Sequence, residues 1–557
     1  MKSVLIFIAL LSPVLRAKEV FLEPTPGADL SDLISKTEFT KLDLALGNDI
    51  HFITKPIEFQ NLSNITVRAK PGTRPVISGG QLITGWKLIK NNLWQTTLPE
   101  VKSGKWAFRE LFLDGQARQR ARHPNQGTLR IAKAGPDNRT SFFFNEGDLQ
   151  NWPDPGQIEF AFYHDWSLSR VNLKTIDIEN KQAFLRDPVG QTTAAHYAMS
   201  HFEKQPRFHL ENHHAFLDAP GEWHLDTKTG ILSYLARKGE DPNALTFIAP
   251  KVEALISMID CKDIEFDNLS FQHCRYELPP GGSAGVQAAF HQRRPAQGQY
   301  ENARDPKPAA FRITNSSNIA FNKCTFANLG TSGLWIANGC RNIKVEHSIF
   351  KNIAANGIMI GEPNATDETV SKRIQLYSNL IRNIGTLDYG AVAIWIGIAA
   401  ETRLTGNELR NLPYTGISLG WRWSPTPTPS RDHLIVANHI HHIMQKLSDG
   451  GGIYTLGLQP DTYLRSNTIH HVPVNAGRAE SNGMFLDQGS TSITIEDNTI
   501  YAIARSPLRF HQAGKILVRN NTLYRKNEAT PHLRFNNTPE KNITDQNNKT
   551  PVGKGPE

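Results

Sequence analysis

Along the second half of the chain, apolar and polar residues alternate with a period of two in short runs that recur on one template. The segments "NIAFNKCTFANL", "NIKVEHSIFKNI", "RIQLYSNLIRNI", "ETRLTGNELRNL", "DHLIVANHIHHI", "DTYLRSNTIHHV" and "SITIEDNTIYAI" each carry an apolar alternation, a small polar residue, and a second alternation. The polar position falls at Cys324, Ser348, Asn379, Asn407, Asn438, Asn467, Asn498 and, in a last copy, Asn521, spaced by 24, 31, 28, 31, 29, 31 and 23 residues. A period of two means strand, and a repeat of this length with variable excess means constant strands joined by loops that vary. Asparagine held in register with the apolar positions predicts an inward side chain at a tight bend, satisfied by its own coil and by the asparagines above and below. The fold class is therefore all-β, a right-handed parallel β-helix over residues 251–525.

Residues 18–81 contain "LDLALGNDIHFITKPIEFQNLSNITVRAKPGTRPVISGG", with the same short alternations, and read as the first coils. Residues 82–250 differ in character: "GWKLIKNNLWQTTLP", "RELFLDGQARQRARHP" and the hairpin "GEWHLDTKTGILSYL", turning at Asp226 to Gly230, predict an inserted β-rich domain of sandwich or barrel type. The Asn-, Pro- and Lys-rich residues 526–557 read as a poorly ordered tail. At the start, "MKSVLIFIALLSPVLRA" has a charge at Lys2, an apolar run from Val4 to Leu11 and a cleavage frame at Leu15 and Ala17. That pattern predicts a signal peptide over residues 1–17, too short to span a bilayer, and export to the periplasm or the extracellular space without stable membrane insertion.

A second strand follows each polar position: "GLWIAN", "GIMIGE", "VAIWIG", "GISLGW", "GIYTLG", "GMFLDQ" and "PLRFHQ". Alternation turns Trp335, Met359, Trp395, Ser418, Tyr454, Phe485 and Arg509 outward in one column, with Ala337, Gly361, Gly397, Gly420, Leu456, Asp487 and His511 in the next. Aromatics beside a lane of small residues predict a shallow cleft on which sugar rings stack, unless loops or the insertion cover them.

Carboxylates fall on this face. In "LSDGGGIYTLG" Asp449 stands four residues before inward Ile453, and Glu480 stands four before the equivalent Met484, so the two align on coils about 4.8 Å apart. Asp487 lies seven residues beyond Glu480 and is the alternative partner for Asp449. A retaining glycosidase needs its carboxyl groups roughly 5–5.5 Å apart and an inverting one roughly 6.5–9.5 Å, and spacing does not choose between the partners. Asp449, Asp487 and Glu480 are thus the candidate catalytic groups. Asp487, flanked by Phe485 and Leu456, suits the proton donor, because drying raises a carboxyl pKa. Asp449 beside the amides of Gly450, Gly451 and Gly452 suits the ionised role, and the glycines keep the wall low for a sugar. Trp395, Tyr454, Trp421 and Trp423 are candidate sugar subsites. Arg422, Arg509 and His511 suit an anionic or hydroxyl-rich sugar, and Asp388 extends the acidic side of the cleft. His441, His442, His470 and His471 recur at one turn of successive coils and read as a structural stack.

The segments "HHIMQKLSDGGGIYTLG", "NTIHHV" and "GMFLDQGSTSITIEDNTIY" resemble glycoside hydrolase family 141 and a wider group of right-handed β-helix carbohydrate-active proteins. The resemblance reaches "LFLDGQARQRARHP" and "WHLDTKTGILSYL" in the insertion. It implies α-L-fucosidase or xylanase action on plant or algal cell-wall polysaccharide, with two catalytic aspartates at Asp449 and Asp487. Gln488 departs from the related "YLDEGS" pattern, in which a second acidic residue follows.

The net charge of +8 suits an anionic polysaccharide, and without a basic cluster interleaved with aromatics it argues against nucleic acid. Four cysteines are too few for a disulfide framework in 557 residues, and no Cys/His spacing suggests a metal. The expectation is a monomer that needs no cofactor and whose partner is an oligo- or polysaccharide. Two rival readings remain from the sequence: a polysaccharide lyase using Arg422, Arg465 or Arg509, and a non-catalytic carbohydrate-binding or adhesin-like solenoid.

Overall fold

Strand after strand pairs in parallel with the strand one coil later, so each apolar position stacks on its own kind. The computed structural model describes residues 18–24, 29–190, 194–201, 203, 205–293, 304–474 and 477–556, and the expected signal peptide lies outside them. Three parallel sheets form the helix. The first runs from Glu19–Leu22 to Ile543–Gln546, the second from Ile50–Phe52 to Thr522–Leu523, and the third from Ile57–Gln60 to Leu533–Asn536. One apolar core runs down the axis, with Phe266 stacked on Phe321 at 5.2 Å and Phe326 on Phe350 at 4.5 Å. The all-β, parallel-helix architecture expected from the alternation is the one found.

The polar bend is a continuous ladder. The amide N–H of Asn379 donates to Asn407 Oδ1 at 3.0 Å, that of Asn407 to Asn438 at 3.0 Å, that of Asn438 to Asn467 at 3.0 Å and that of Asn467 to Asn498 at 2.8 Å. Each Nδ2 donates back to a carbonyl one coil earlier, as Asn438 does to Leu404 at 2.9 Å. At the upper end Ser348 takes the same place, accepting from the N–H of Cys324, and the four cysteines are buried free thiols. The ladder continues past Asn521 to Asn548, which accepts the Asn521 N–H at 2.8 Å. The segment expected to be a poorly ordered tail therefore adds the strands Leu533–Asn536 and Ile543–Gln546, paired in register with the preceding coil. Its polar composition reflects one more rung of the ladder and exposed turns.

The insertion leaves and re-enters without disturbing the stack: Ser63–Ala69 pairs directly with Lys262–Asp267, and Ile57–Gln60 with Ile256–Ile259. At its base Gly80–Ile83 pairs antiparallel with Phe247–Pro250. Between them lie two largely antiparallel sheets with separate aromatic cores, one around Trp86, Trp223 and Phe247, the other around Phe142, Phe160 and Phe208. A strand from beyond the insertion, Ser283–Ala284, joins the second sheet beside Leu168–Asp177 and fastens it to the helix.

On the outside of the second sheet the histidines stack as expected. His441 lies on His470 at 4.8 Å, His442 on His471 at 4.6 Å, and Tyr501 continues the column under His470 at 4.6 Å. Burial first and neighbouring rings second hold His441 and His442 below their ordinary range and push His470 down to about 3. Because the folded values lie below the unfolded one, acid protonates the unfolded chain preferentially. The stack's contribution is whole above about pH 6.5 and is lost as pH falls below it.

Three outcomes follow for unfolding. Asn438→Ala removes the acceptor of the buried Asn407 N–H and the donor to Leu404 O, and should cost about 2–5 kcal/mol in urea unfolding. Asn342→Gly, which removes an exposed amide bonded to Asn318 while keeping the left-handed bend at φ +56°, should cost less than about 1 kcal/mol in the same assay. His470→Tyr, copying its neighbour Tyr501, should raise the melting temperature more at about pH 4 than at about pH 8.

Candidate active site

The outward column of the third sheet is in register throughout: Trp335 pairs with Met359, then Trp395, Ser418, Tyr454, Phe485 and Arg509 follow. Its upper half is not a cleft. Phe290, from the segment after the insertion, stacks on Trp395 at 4.2 Å, and Trp395 is fully buried. Trp421 packs edge-on against Trp395 at 5.3 Å and is buried too. Both form a wall and are not free sugar platforms. Trp423, 42% exposed and edge-on to Trp421 at 5.0 Å, faces the open space.

That space is a cleft of about 580 Å³ over the lower coils. Asp449, Asp487, Tyr454, Phe485, Arg509 and His511 line it from the helix, and Trp166, His196, Tyr197 and His201 from the insertion. Of the expected site residues, Asp449, Asp487, Tyr454, Trp423, Arg509 and His511 come together here. Besides the buried Trp395 and Trp421, three others do not. Arg422 is exposed outside the lining. Asp388 is buried in an ion pair with Lys307 at 2.5 Å. Glu480 aligns with Asp449 as its spacing requires, its carbonyl accepting the Asp449 N–H at 3.1 Å, but its carboxylate turns to Arg534 at 3.5 Å. The aspartate that shares the cleft with Asp449 is Asp487.

Asp449 sits at φ +60°, a left-handed bend that throws its side chain off the strand that follows, Gly450–Thr455. Its carbonyl accepts from Tyr414 Oη at 2.9 Å. The glycines do not keep the wall low for a sugar. A Cβ on Gly450 would meet Thr415 Oγ1 at 2.3 Å, one on Gly451 the Asn482 carbonyl at 2.7 Å, and one on Gly452 Ile469 Cγ2 at 2.6 Å. They are needed because neighbouring coils close over this strand, and that packing fixes where the carboxylate emerges.

The two aspartates have different surroundings. Arg509 Nη1 donates to Asp449 Oδ1 at 3.0 Å, while Arg509 Nε donates to Asn536 at 3.1 Å and the guanidinium lies 4.0 Å over Phe485. Burial, with the charges of Asp487 and Asp165 added and Arg509 opposing, pushes the Asp449 carboxyl up to about 6. Asp487 accepts from Tyr454 Oη at 2.5 Å and has His511 Nδ1 at 2.7 Å. Burial and the nearby Asp487 charge raise the Tyr454 phenol well above its ordinary range, so it stays a donor.

The insertion supplies what periodicity could not announce. Asp165 is buried, its carbonyl accepts the Ser448 N–H at 2.7 Å, and its carboxylate accepts the Arg478 N–H at 2.7 Å. One residue of the insertion thus holds the loops before two successive coils. The stretch "YHDW", Tyr163 to Trp166, was a visible cluster of aromatic and ionisable residues, but only its position against Ser448 gives it meaning.

Residues 91–237 match the GH141 insertion domain, and residues 254–372 match the right handed beta helix region. No curated protein matches the chain in sequence. A solved structure described as "Glycoside hydrolase" is similar over 95% of this chain and 97% of its own, at 21% identity and a TM-score of 0.75. XylC with xylose aligns over 94% and 82% at 11% identity and a TM-score of 0.48. PfbA, a surface adhesin of Streptococcus pneumoniae, aligns over 92% and 85% at 9% identity and a TM-score of 0.37. The chain is thus a right-handed β-helix carrying a GH141 insertion domain, the architecture that its resemblance to glycoside hydrolase family 141 implies.

Proposed function

We propose that the protein is an exported glycoside hydrolase that cleaves glycosidic bonds of a complex plant or algal cell-wall polysaccharide with Asp449 and Asp487. The GH141 insertion domain and the fold shared with a glycoside hydrolase support a carbohydrate-active enzyme. The observation that carries the hydrolytic reading is a pair of aspartates in one cleft with opposite surroundings, which is what separate acid and base roles require.

The surroundings favour the reverse of the role split read from the flanking residues. Tyr454 Oη and His511 Nδ1 each hold one oxygen of Asp487 and so orient it to attack the anomeric carbon or to activate water. Asp449, with its carboxyl pushed up to about 6, holds a proton for the leaving oxygen under mildly acidic conditions. As that proton leaves, the new carboxylate faces Arg509, which Asn536 and Phe485 already hold in place, so the product charge is stabilised without reorganisation. Trp423, the exposed aromatic of the cleft, supplies apolar surface for a sugar ring.

Reducing-end release from fucosylated, xylan and uronate-rich glycans tests this. Asp449→Asn and Asp487→Asn should each lower it about 10²- to 10⁴-fold. An unsaturated, ultraviolet-absorbing product would establish a lyase instead, and activity surviving both changes would remove the pair from the mechanism. If Asp449 donates the proton, kcat/KM should fall as pH rises through about 6. Arg509→Gln, which removes the cation holding that value down, should move this limb to higher pH. Tyr454→Phe should lower kcat/KM about 10- to 100-fold through the lost bond to Asp487, with the melting temperature little changed.

A further inference from the structure

A second cavity of about 610 Å³ lies where the insertion meets the β-helix, beside the cleft of the two aspartates. Arg109, Arg118, Arg120, Arg122 and Arg207 line it from the insertion and Lys446 from the helix. The acids around it are already shared out. Glu159 takes Arg109 at 2.6 Å, Arg120 at 3.1 Å and Arg170 at 2.6 Å. Glu211 takes Arg170 at 3.0 Å, Arg120 at 3.6 Å and His209 at 2.8 Å. Two carboxylates therefore serve three guanidinium groups, while Arg118 pairs with Glu240 at 3.5 Å and Arg207 with Glu203 at 2.7 Å.

Further positive charge is unmatched. Arg122 donates to the carbonyls of Pro124 and Gly127 at 2.7 and 2.5 Å, and Lys446 Nζ stands 3.9 Å from the centre of the Tyr389 ring. Neither has a carboxylate partner among the described residues. Glu110, also in the wall, is pushed up to about 8 by burial and the Asp388 charge against the pull of Arg109, so it is uncharged at neutral pH.

Donors are left over as well. The Nε of Arg109, Arg118 and Arg120 and the Nη2 of Arg207 are buried with no hydrogen-bond partner among the described residues, and the Arg109 and Arg118 side chains are each 8% exposed. A buried donor without an acceptor is destabilising, and guanidinium groups match the planar or tetrahedral oxygens of an anion. Those buried donors lie behind the lining, and the surplus of cations around one open cavity describes an oxyanion site.

We propose that this cavity binds an oxyanion, the carboxylate or sulfate of an acidic sugar unit in the same glycan that enters the neighbouring cleft. Lys446 lines the cavity and Asp449 the cleft, so the Cα atoms of the two lie at most roughly 11 Å apart, with the buried Leu447 and Ser448 between them. The assignment of the anion to the substrate rests on the hydrolase reading, whereas anion binding itself does not.

Titration calorimetry in an Asp449→Asn background, where turnover is suppressed, tests it with sodium sulfate, an oligogalacturonate and a neutral oligosaccharide of equal length. Sulfate should bind. The oligogalacturonate should bind at least fivefold more tightly than either sulfate or the neutral chain. Lys446→Met and Arg122→Gln should each weaken both acidic ligands at least fivefold, with melting temperatures unchanged. Lys446 is exposed, so its variant keeps the test valid if Arg122→Gln loosens the loop it holds. No binding of either acidic ligand, or binding indifferent to both substitutions, would overturn the site. Sulfate binding without tighter binding of the acidic chain would overturn the assignment to substrate and leave a site for a free inorganic anion. Acidic-chain binding, with no reducing ends released by the wild-type protein, would overturn the hydrolase and leave the anion site standing.

Discussion

The structure depends on one interaction repeated down its length, the amide of each bend asparagine bonded to the next coil. A coil slipped by one residue would carry every apolar side chain of the third sheet to the outside, and a coil out of step would leave a buried N–H without an acceptor. The ladder from Asn379 to Asn548 forbids both. Fixed register is what sets Tyr454 beside Phe485 and Phe485 beside Arg509, and so brings groups from different coils to one cleft. The chemistry uses short range geometry, and the ladder supplies it from residues on another edge of the coil.

A solenoid face alone would be a long open surface. Two coverings restrict it. Phe290 seals the tryptophans above, and the insertion raises a wall of Trp166, Tyr197 and His201 on the side of the aspartates. The same column therefore reads as core at Trp395 and as site at Tyr454. Position in the repeat sets the direction of a side chain, and the covering decides what that direction is for.

This division explains what the sequence could and could not announce. Period-two alternation and the asparagine spacing specify the sheets, the inward and outward columns and the neighbouring coils of Asp449 and Asp487, since all of these are local properties repeated many times. The fate of Trp395, Trp421, Asp388 and Glu480 depends on single contacts with Phe290, Lys307 and Arg534, far away in the chain and outside any repeat. Composition misled at the tail, where a polar stretch conceals the rung at Asn548, 27 residues after Asn521 and so at the spacing of the coils before it. It misled again at Gly450 to Gly452, where small residues meet the pressure of adjoining coils and not the approach of a ligand.

The insertion also acts on the aspartates electrically. Asp165 accepts from the N–H of Arg478 and receives the N–H of Ser448 at its carbonyl, which places its charge close enough to raise the Asp449 carboxyl along with burial and Asp487. On the opposite side Arg509 lowers it, held by Asn536 from a later coil. Burial is the largest influence on the acidity of Asp449, and to it a domain inserted near the start of the helix and a coil near its end add opposing charges. A β-helix without the insertion would retain the arginine and lose the opposing carboxylate, and its Asp449 would sit lower and be ionised at the pH where a proton donor is needed.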